Sequence, residues 1–246
     1  MRKQKALQPR FVLMLAGLLF APIAKSESVL ELFTSHGCYS CPPAEKLFNE
    51  LNQTNDDLIA LEYHVDYWNT LVYGSAGSWV DPFSKPAYSQ RQRNYSHRDL
   101  RGREGVYTPQ AVINGKYAAV GSNRRQVTAA VAQPLDENVT VDVATANDQY
   151  VIRVNNVGGD PSASDAKVWV VRFIKSVTTE ITSGENKGKT LENHNVVTSV
   201  ESLGSVPKAD SAEFTASLNS DANMGCAIII QDDFQSPILA ASKCPG

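Results

Sequence analysis

Between Val29 and Thr34 apolar residues dominate a short β-rich run that ends at Ser35-His36-Gly37, so a strand hands the chain to a turn. After Pro42-Pro43, Ala44, Leu47, Phe48 and Leu51 stand at i, i+3, i+4 and i+7, the spacing of one helical face. Leu58 to Val65 is apolar and aromatic except at Glu62 and His64, as expected of a strand buried on both faces of a parallel sheet. Strand, helix and strand make a βαβ unit, with Cys38 and Cys41 at the start of its helix. Residues 66 to 105 are irregular, with turn signals at Asp81-Pro82 and Lys85-Pro86 and a helix from about Pro86 to Ser96, and read as an insertion. Thr108-Pro109 then leads into Gln110 to Ile113, Asn114-Gly115 and Lys116 to Val120, a hairpin signature. Val127, Ala130 and Val131 fit a helix capped by Ser122 or Asn123, and Pro134 closes this first unit.

Beyond it, seven short runs alternate with turn-like stretches: Val139 to Ala144, Tyr150 to Asn155, Lys167 to Ile174, Asn195 to Val200, Glu213 to Leu218, Cys226 to Gln231 and Ile238 to Ala241. The expected fold class is an α/β N-terminal domain over residues 27–134, followed by an all-β sandwich-like C-terminal domain over 135–246.

The first 26 residues stand apart. Arg2, Lys3, Lys5 and Arg10 precede an apolar run from Phe11 to Phe20, and Ala24 or Ser26 offers a cleavage point, the pattern of a signal peptide. The run is short for a bilayer span, and no later segment is apolar enough. The expected location is therefore periplasmic or extracellular, with no membrane partner after cleavage. Without this segment the chain carries 18 Lys and Arg against 26 Asp and Glu, a net charge of −8, which argues against nucleic acid as a partner. The acidity belongs mostly to the second half, where residues from Gln133 onward hold 8 basic and 15 acidic side chains.

Export changes the meaning of the four cysteines, because an oxidising compartment favours disulfides and their exchange. Cys38 and Cys41 are close enough in sequence to bond to each other, and the helix start favours a thiolate at Cys38. In that scheme Cys38 forms a mixed disulfide with a partner and Cys41 resolves it. Pro42 and Pro43 remove two N–H donors from the first turn, so the shift at Cys38 is expected to be moderate. A permanent disulfide and half of a zinc site remain as alternatives. Cys226 and Cys244 each lie nine positions from Gln235, which suits a structural disulfide facing across a hairpin.

These motifs resemble the thioredoxin superfamily. More narrowly, Leu30-Glu-Leu-Phe-Thr-Ser35, Gly37-Cys-Tyr-Ser-Cys-Pro-Pro-Ala44, His64-Val-Asp-Tyr-Trp68, Tyr107-Thr-Pro-Gln110 and Gly184-Glu-Asn186 resemble a family of secreted bacterial proteins catalogued as domain of unknown function 1223. The superfamily likeness implies Cys38 as nucleophile, Cys41 as resolving cysteine and Pro109 as a cis-proline beside Thr108. The residues alone favour an ordinary trans Pro109 opening an edge strand. The chain departs from thioredoxins in lacking a Trp before Cys38, in the two prolines after Cys41 and in the insertion.

His64 and Asp66 close the second strand, where sites form in parallel sheets, and with His36 they are candidate proton acceptors or ligands. No cofactor is expected on the main reading; the alternative is Cu(I) held by Cys38, Cys41 and His64, against which stands the absence of a Met-rich segment. Five arginines, Arg91, Arg93, Arg98, Arg101 and Arg103, crowd thirteen residues and suit an acidic partner or the acidic second half. The functional expectation is an exported thiol-disulfide oxidoreductase acting on a protein substrate that the sequence does not name. A non-catalytic binding module is the alternative.

Overall fold

The computed structural model describes residues 26–98, 100–135, 139–155, 165–207, 210–219, 221–231 and 237–245. The basic and apolar stretch read as a signal peptide lies outside the described residues up to residue 25, as do Asp99 and residues 232–236.

The βαβ unit consists of β1 (Ser28–Thr34), α1 (Pro42–Thr54) and β2 (Leu58–His64), with β1 and β2 parallel from Ser28↔Leu58 to Thr34↔His64. Helix α1 opens on two prolines, tolerated there because first-turn N–H groups have no intrahelical acceptor. Its apolar face sets Ala44, Leu47 and Phe48 against Leu30, Leu32, Leu58 and Ala60. Burial of Leu47 and Phe48 contributes roughly 1.5–3 kcal/mol each. In the insertion a helix α2 (Pro86–Ser96) precedes the two-residue β3 (Arg101–Gly102). β4 (Gln110–Ile113) and β5 (Tyr117–Val120) form the antiparallel hairpin, turned at Asn114 and Gly115, both at positive φ of 53° and 61°. α3 (Arg124–Val131) is capped by Asn123, whose side chain accepts from the Gln126 N–H.

Seven strands follow: β6 (Thr140–Ala146), β7 (Gln149–Asn155), β8 (Ala166–Glu180), β9 (Thr190–Val206), β10 (Ala212–Ser217), β11 (Met224–Gln231) and β12 (Ile238–Lys243). Each overlaps one of the runs visible in the sequence, with β6 starting one residue after Val139 and β10 ending one before Leu218. Their assembly overturns the expected fold class. Instead of an α/β thioredoxin-like domain followed by an all-β sandwich-like one, the protein is mostly β. A single mixed sheet of nine strands runs in the order β12-β11-β8-β9-β2-β1-β4-β5-β3, and β10, β7 and β6 form a separate three-stranded sheet.

The join is β9, which lies parallel to β2 with Val196 opposite Glu62. Strand β2 is buried along its whole length and needs a neighbour on its free edge. The long β8–β9 hairpin supplies one, because its 15- and 17-residue strands reach past their own half of the chain. One core therefore crosses the join, with Phe33, Tyr63, Tyr88 and Tyr95 packed in the same cluster as Trp169, Phe173 and Ile229. A second cluster, with Val141, Ile152 and Val154 on one side and Val168, Val170 and Ile228 on the other, fills the space between the two sheets.

Candidate functional site

β1 ends at Thr34, and the turn Ser35-His36-Gly37 carries the chain to Cys38. Cys38 and Cys41 are disulfide-bonded with Cα atoms 5.4 Å apart, and Cys41 is the N-cap of α1. Both are 0% exposed, while Tyr39 between them is 62% exposed. Their cover is the loop joining β8 to β9. Asn186 Nδ2 donates to the carbonyls of His36 (2.8 Å) and Cys38 (3.0 Å), and the Tyr39 N–H donates to Glu185 Oε2 at 2.7 Å. Lys189 Nζ lies 4.2 Å from the centre of the Tyr39 ring. Gly184 (φ 76°) lets this loop press on the insertion, since a methyl group there would stand 2.9 Å from Trp79 Cβ.

Thr108-Pro109 is a cis peptide. Trp68 links it to the cysteine turn: the indole N–H donates to Thr108 Oγ1 at 2.8 Å, and Trp68 Cβ would lie 3.2 Å from a methyl group on Gly37. Gly121 separates Pro109 from α1, for a methyl there would meet Leu32, Ala44 Cβ at 3.0 Å and Pro109 Cβ at 3.3 Å.

Beside the turn and the end of β2 lies a buried polar cluster. His64 donates from Nδ1 to Asp81 Oδ2 at 2.7 Å and from Nε2 to Glu62 Oε1 at 2.9 Å. His36 donates from Nε2 to Asn193 Oδ1 at 2.8 Å, and its ring stands 4.8 Å from that of His64, edge to face. Asn193 Nδ2 in turn donates to Glu62 Oε1 at 2.7 Å. Burial alone would lower the His64 pKa, but Asp81 and Glu62 outweigh it and hold the imidazole well above its ordinary value. Burial would raise Asp81, yet the charge and hydrogen bond of His64 hold it well below the carboxylate range. Burial and the neighbouring His64 charge lower His36. Glu45, in the first turn of α1, accepts from Thr34 Oγ1 at 2.6 Å; burial and the nearby Glu62 push its pKa up to about 8.

The family model described as "Protein of unknown function (DUF1223)" matches residues 29–231. The chain belongs to this family. The DUF1223 protein is also similar to a structural-genomics crystal structure of a protein from Agrobacterium tumefaciens, with 30% identity and a TM-score of 0.70, covering 91% of this chain and 96% of that one. HBP35 of Porphyromonas gingivalis shares 13% identity over 89% of this chain and 74% of that one, with a TM-score of 0.53, a likeness of fold alone. No curated protein matches the chain.

Among the site residues expected from sequence, the DUF1223 chain brings Cys38 and Cys41 together, sets Thr108-Pro109 near them through Trp68, and places His36 and His64 in one cluster. Asp66 stands apart. Its carboxylate accepts from Ser89 Oγ, and its N–H donates to Ser89 Oγ at 3.0 Å, so it anchors α2. Cys226 and Cys244 are disulfide-bonded across β11 and the end of β12, with Cα atoms 5.3 Å apart. The arginine run does not act as a unit. Arg91 is buried and paired with Glu31 of β1 at 2.6 Å, while Arg103 lies over Tyr107 at 4.4 Å.

Sequence reasoning missed Asp81, Glu45 and Asn193 and gave Glu62 and Asn186 no role. Glu62 was visible as a charge inside an apolar strand. Asp81 looked like a turn residue because Pro82 follows it, and only the return of the insertion to the end of β2 shows its partner.

Proposed function

We propose that this DUF1223 protein is an exported thiol–disulfide oxidoreductase that works through Cys38 and Cys41. In the reduced state the Cys38 thiolate attacks a partner disulfide and displaces one partner sulfur as a thiolate. The Cys41 thiolate then attacks Cys38 Sγ in the mixed disulfide and displaces the second partner thiolate. Two electrons pass to the partner, which takes up two protons, and the Cys38–Cys41 bond closes. The reverse sequence oxidises a partner dithiol.

The observation that carries this reading is the contrast between the two disulfides. Cys226 and Cys244 pack in an apolar cluster with Tyr150, Ile152 and Ile228, the setting of an inert crosslink. Cys38 and Cys41 instead stand at a helix N-terminus, with Cys41 in the N-cap position of α1. Ser40 Oγ stands 3.4 Å from Cys38 Sγ, Asn186 holds the Cys38 carbonyl, and the buried carboxyl of Glu45 follows one turn along α1. A helix N-terminus stabilises the leaving thiolate, and a carboxyl that holds a proton near neutrality is suited to proton transfer. A partner gains access when the Glu185-Asn186 loop lifts from Tyr39.

The test is a trapping experiment with Cys41→Ala. Incubated with oxidised glutathione, it is expected to take up one glutathione on Cys38, seen by peptide mass spectrometry, while Cys38→Ala/Cys41→Ala takes up none. A folded Cys41→Ala protein that takes up none, even in a variant with Asn186→Ala, sinks the reading.

A further inference from the structure

His36, His64 and Asp81 present one ligand atom each, mutually within 4.8 Å and all buried. The hydrogen bonds fix which atoms these are. Because His36 Nε2–H is given to the Asn193 carbonyl oxygen, its Nδ1 carries the lone pair. That Nδ1 is buried with no hydrogen-bond partner among the described residues, and it faces Asp81 Oδ1 at 3.8 Å. A lone pair aimed at a carboxylate in a buried site costs free energy unless a cation lies between them. His64 turns its Nδ1 to the same carboxylate, there donating to Asp81 Oδ2 at 2.7 Å, while its Nε2–H is given to Glu62.

We propose that His36 Nδ1, His64 Nδ1 and the Asp81 carboxylate together bind one divalent first-row metal ion, with Zn2+ the best match. Two imidazoles and a carboxylate form a borderline N/O donor set of the kind Zn2+ takes. Donors on one tetrahedral Zn2+ stand roughly 3.3 Å apart, given bonds of about 2.0–2.2 Å. His64 Nδ1 stands 2.7 Å from Asp81 Oδ2 and His36 Nδ1 3.8 Å from Asp81 Oδ1, on either side of that value, and the three donors all lie within 4.8 Å of one another, a spread that a bound ion would draw in.

The surroundings supply the outer shell that such sites need. Asn193 and Glu62 hold the far nitrogens of the two imidazoles, and Asn193 joins them by donating to Glu62. The N–H groups of His36 (2.7 Å) and Phe83 (3.0 Å) orient the Asp81 carboxylate. Binding displaces the Nδ1 proton of His64, and the charge of the ion then balances Glu62 and Asp81, whose carboxylates flank two neutral imidazoles. Phe83 and Trp79 wall the site, with ring centres 5.8 and 6.4 Å from that of His36. Val80, next to Asp81, is 68% exposed, so the segment carrying the third ligand reaches the surface and gives the ion a way in. The site needs neither cysteine and is independent of the exchange reaction.

The test uses tag-free protein with both disulfides closed, stripped with EDTA and titrated with Zn2+ by calorimetry, with X-ray absorption on the loaded form. The expected results are one ion per chain and a first shell of nitrogen and oxygen at about 2.0–2.1 Å without sulfur. Binding is lost in His36→Gln, weakened roughly 10- to 100-fold in Asn193→Ala, and unchanged in His97→Gln, an exposed histidine. Failure of the wild-type protein to take up Zn2+ overturns the proposal, as does sulfur in the first shell or full binding retained in His36→Gln. The wild-type stoichiometry and spectrum decide the matter even where a ligand variant does not fold.

Discussion

Replacing Glu45 by Gln removes an ionisable group from the first turn of α1 but keeps the oxygen to which Thr34 Oγ1 donates at 2.6 Å. In the folded protein, burial and the neighbouring Glu62 lift the Glu45 pKa from the ordinary 4.5 to about 8. Between those values the folded state holds a proton that the unfolded chain has released. Stability from this group therefore falls as pH rises through that window, and is fully present only below the unfolded value. At about 1.4 kcal/mol per pH unit the whole window sets a ceiling of roughly 5 kcal/mol. His64, which lowers the Glu45 pKa, and Asp81 and Glu62, which raise it, are present in both proteins, so the difference between them reports the ionisation of Glu45 together with its effect on these neighbours. Urea unfolding of both proteins, from about pH 5 to about pH 8, is expected to show Glu45→Gln gaining about 2–4 kcal/mol relative to wild type as pH rises. A difference constant to within about 0.5 kcal/mol across the range would refute the assignment of a proton to Glu45.

Three further perturbations probe other parts of the account. Arg91→Met leaves Glu31 buried without its cation and is expected to cost about 3–5 kcal/mol by chemical denaturation, much of it recovered in Glu31→Gln/Arg91→Met. Asn186→Ala removes two hydrogen bonds to the cysteine turn, each worth about 1 kcal/mol, so dithiothreitol should reduce Cys38–Cys41 roughly 5- to 30-fold faster; an unchanged rate means that the loop does not gate the pair. Cys226→Ala/Cys244→Ala opens a crosslink between residues 18 positions apart and is expected to lower unfolding free energy by about 3 kcal/mol while leaving the Cys38–Cys41 redox equilibrium unchanged.

The strands and helices were legible because each carries its own period. Ala44, Leu47, Phe48 and Leu51 mark α1, and the seven later apolar runs mark β6 to β12. Their arrangement was not, because sheet order depends on pairings that no local pattern encodes. Nothing near Val196 indicates that it will lie beside Glu62, and that pairing puts strands from both halves of the chain into one sheet. The cysteine pair was visible through its spacing. The polar cluster beside it was only half visible: His36 and His64 stand near the cysteines in sequence, whereas Asp81, Asn186 and Asn193 arrive from loops and strands up to 157 positions away. Asp66 illustrates the converse error. Its place at the end of β2 suggested a site residue, but the strand ends two residues earlier and its side chain turns to Ser89 in α2.

The central claim is that Cys38 and Cys41 exchange with a partner while Cys226 and Cys244 do not. Equilibration of the protein in glutathione buffers, followed by alkylation and peptide mass spectrometry, reads the reduced fraction of each pair separately. The account predicts that Cys38–Cys41 is half reduced at a potential between about −270 and −120 mV, the span of proteins that exchange disulfides, with Cys226–Cys244 still closed there. A Cys38–Cys41 bond that stays closed below about −300 mV, as structural disulfides do, would contradict it.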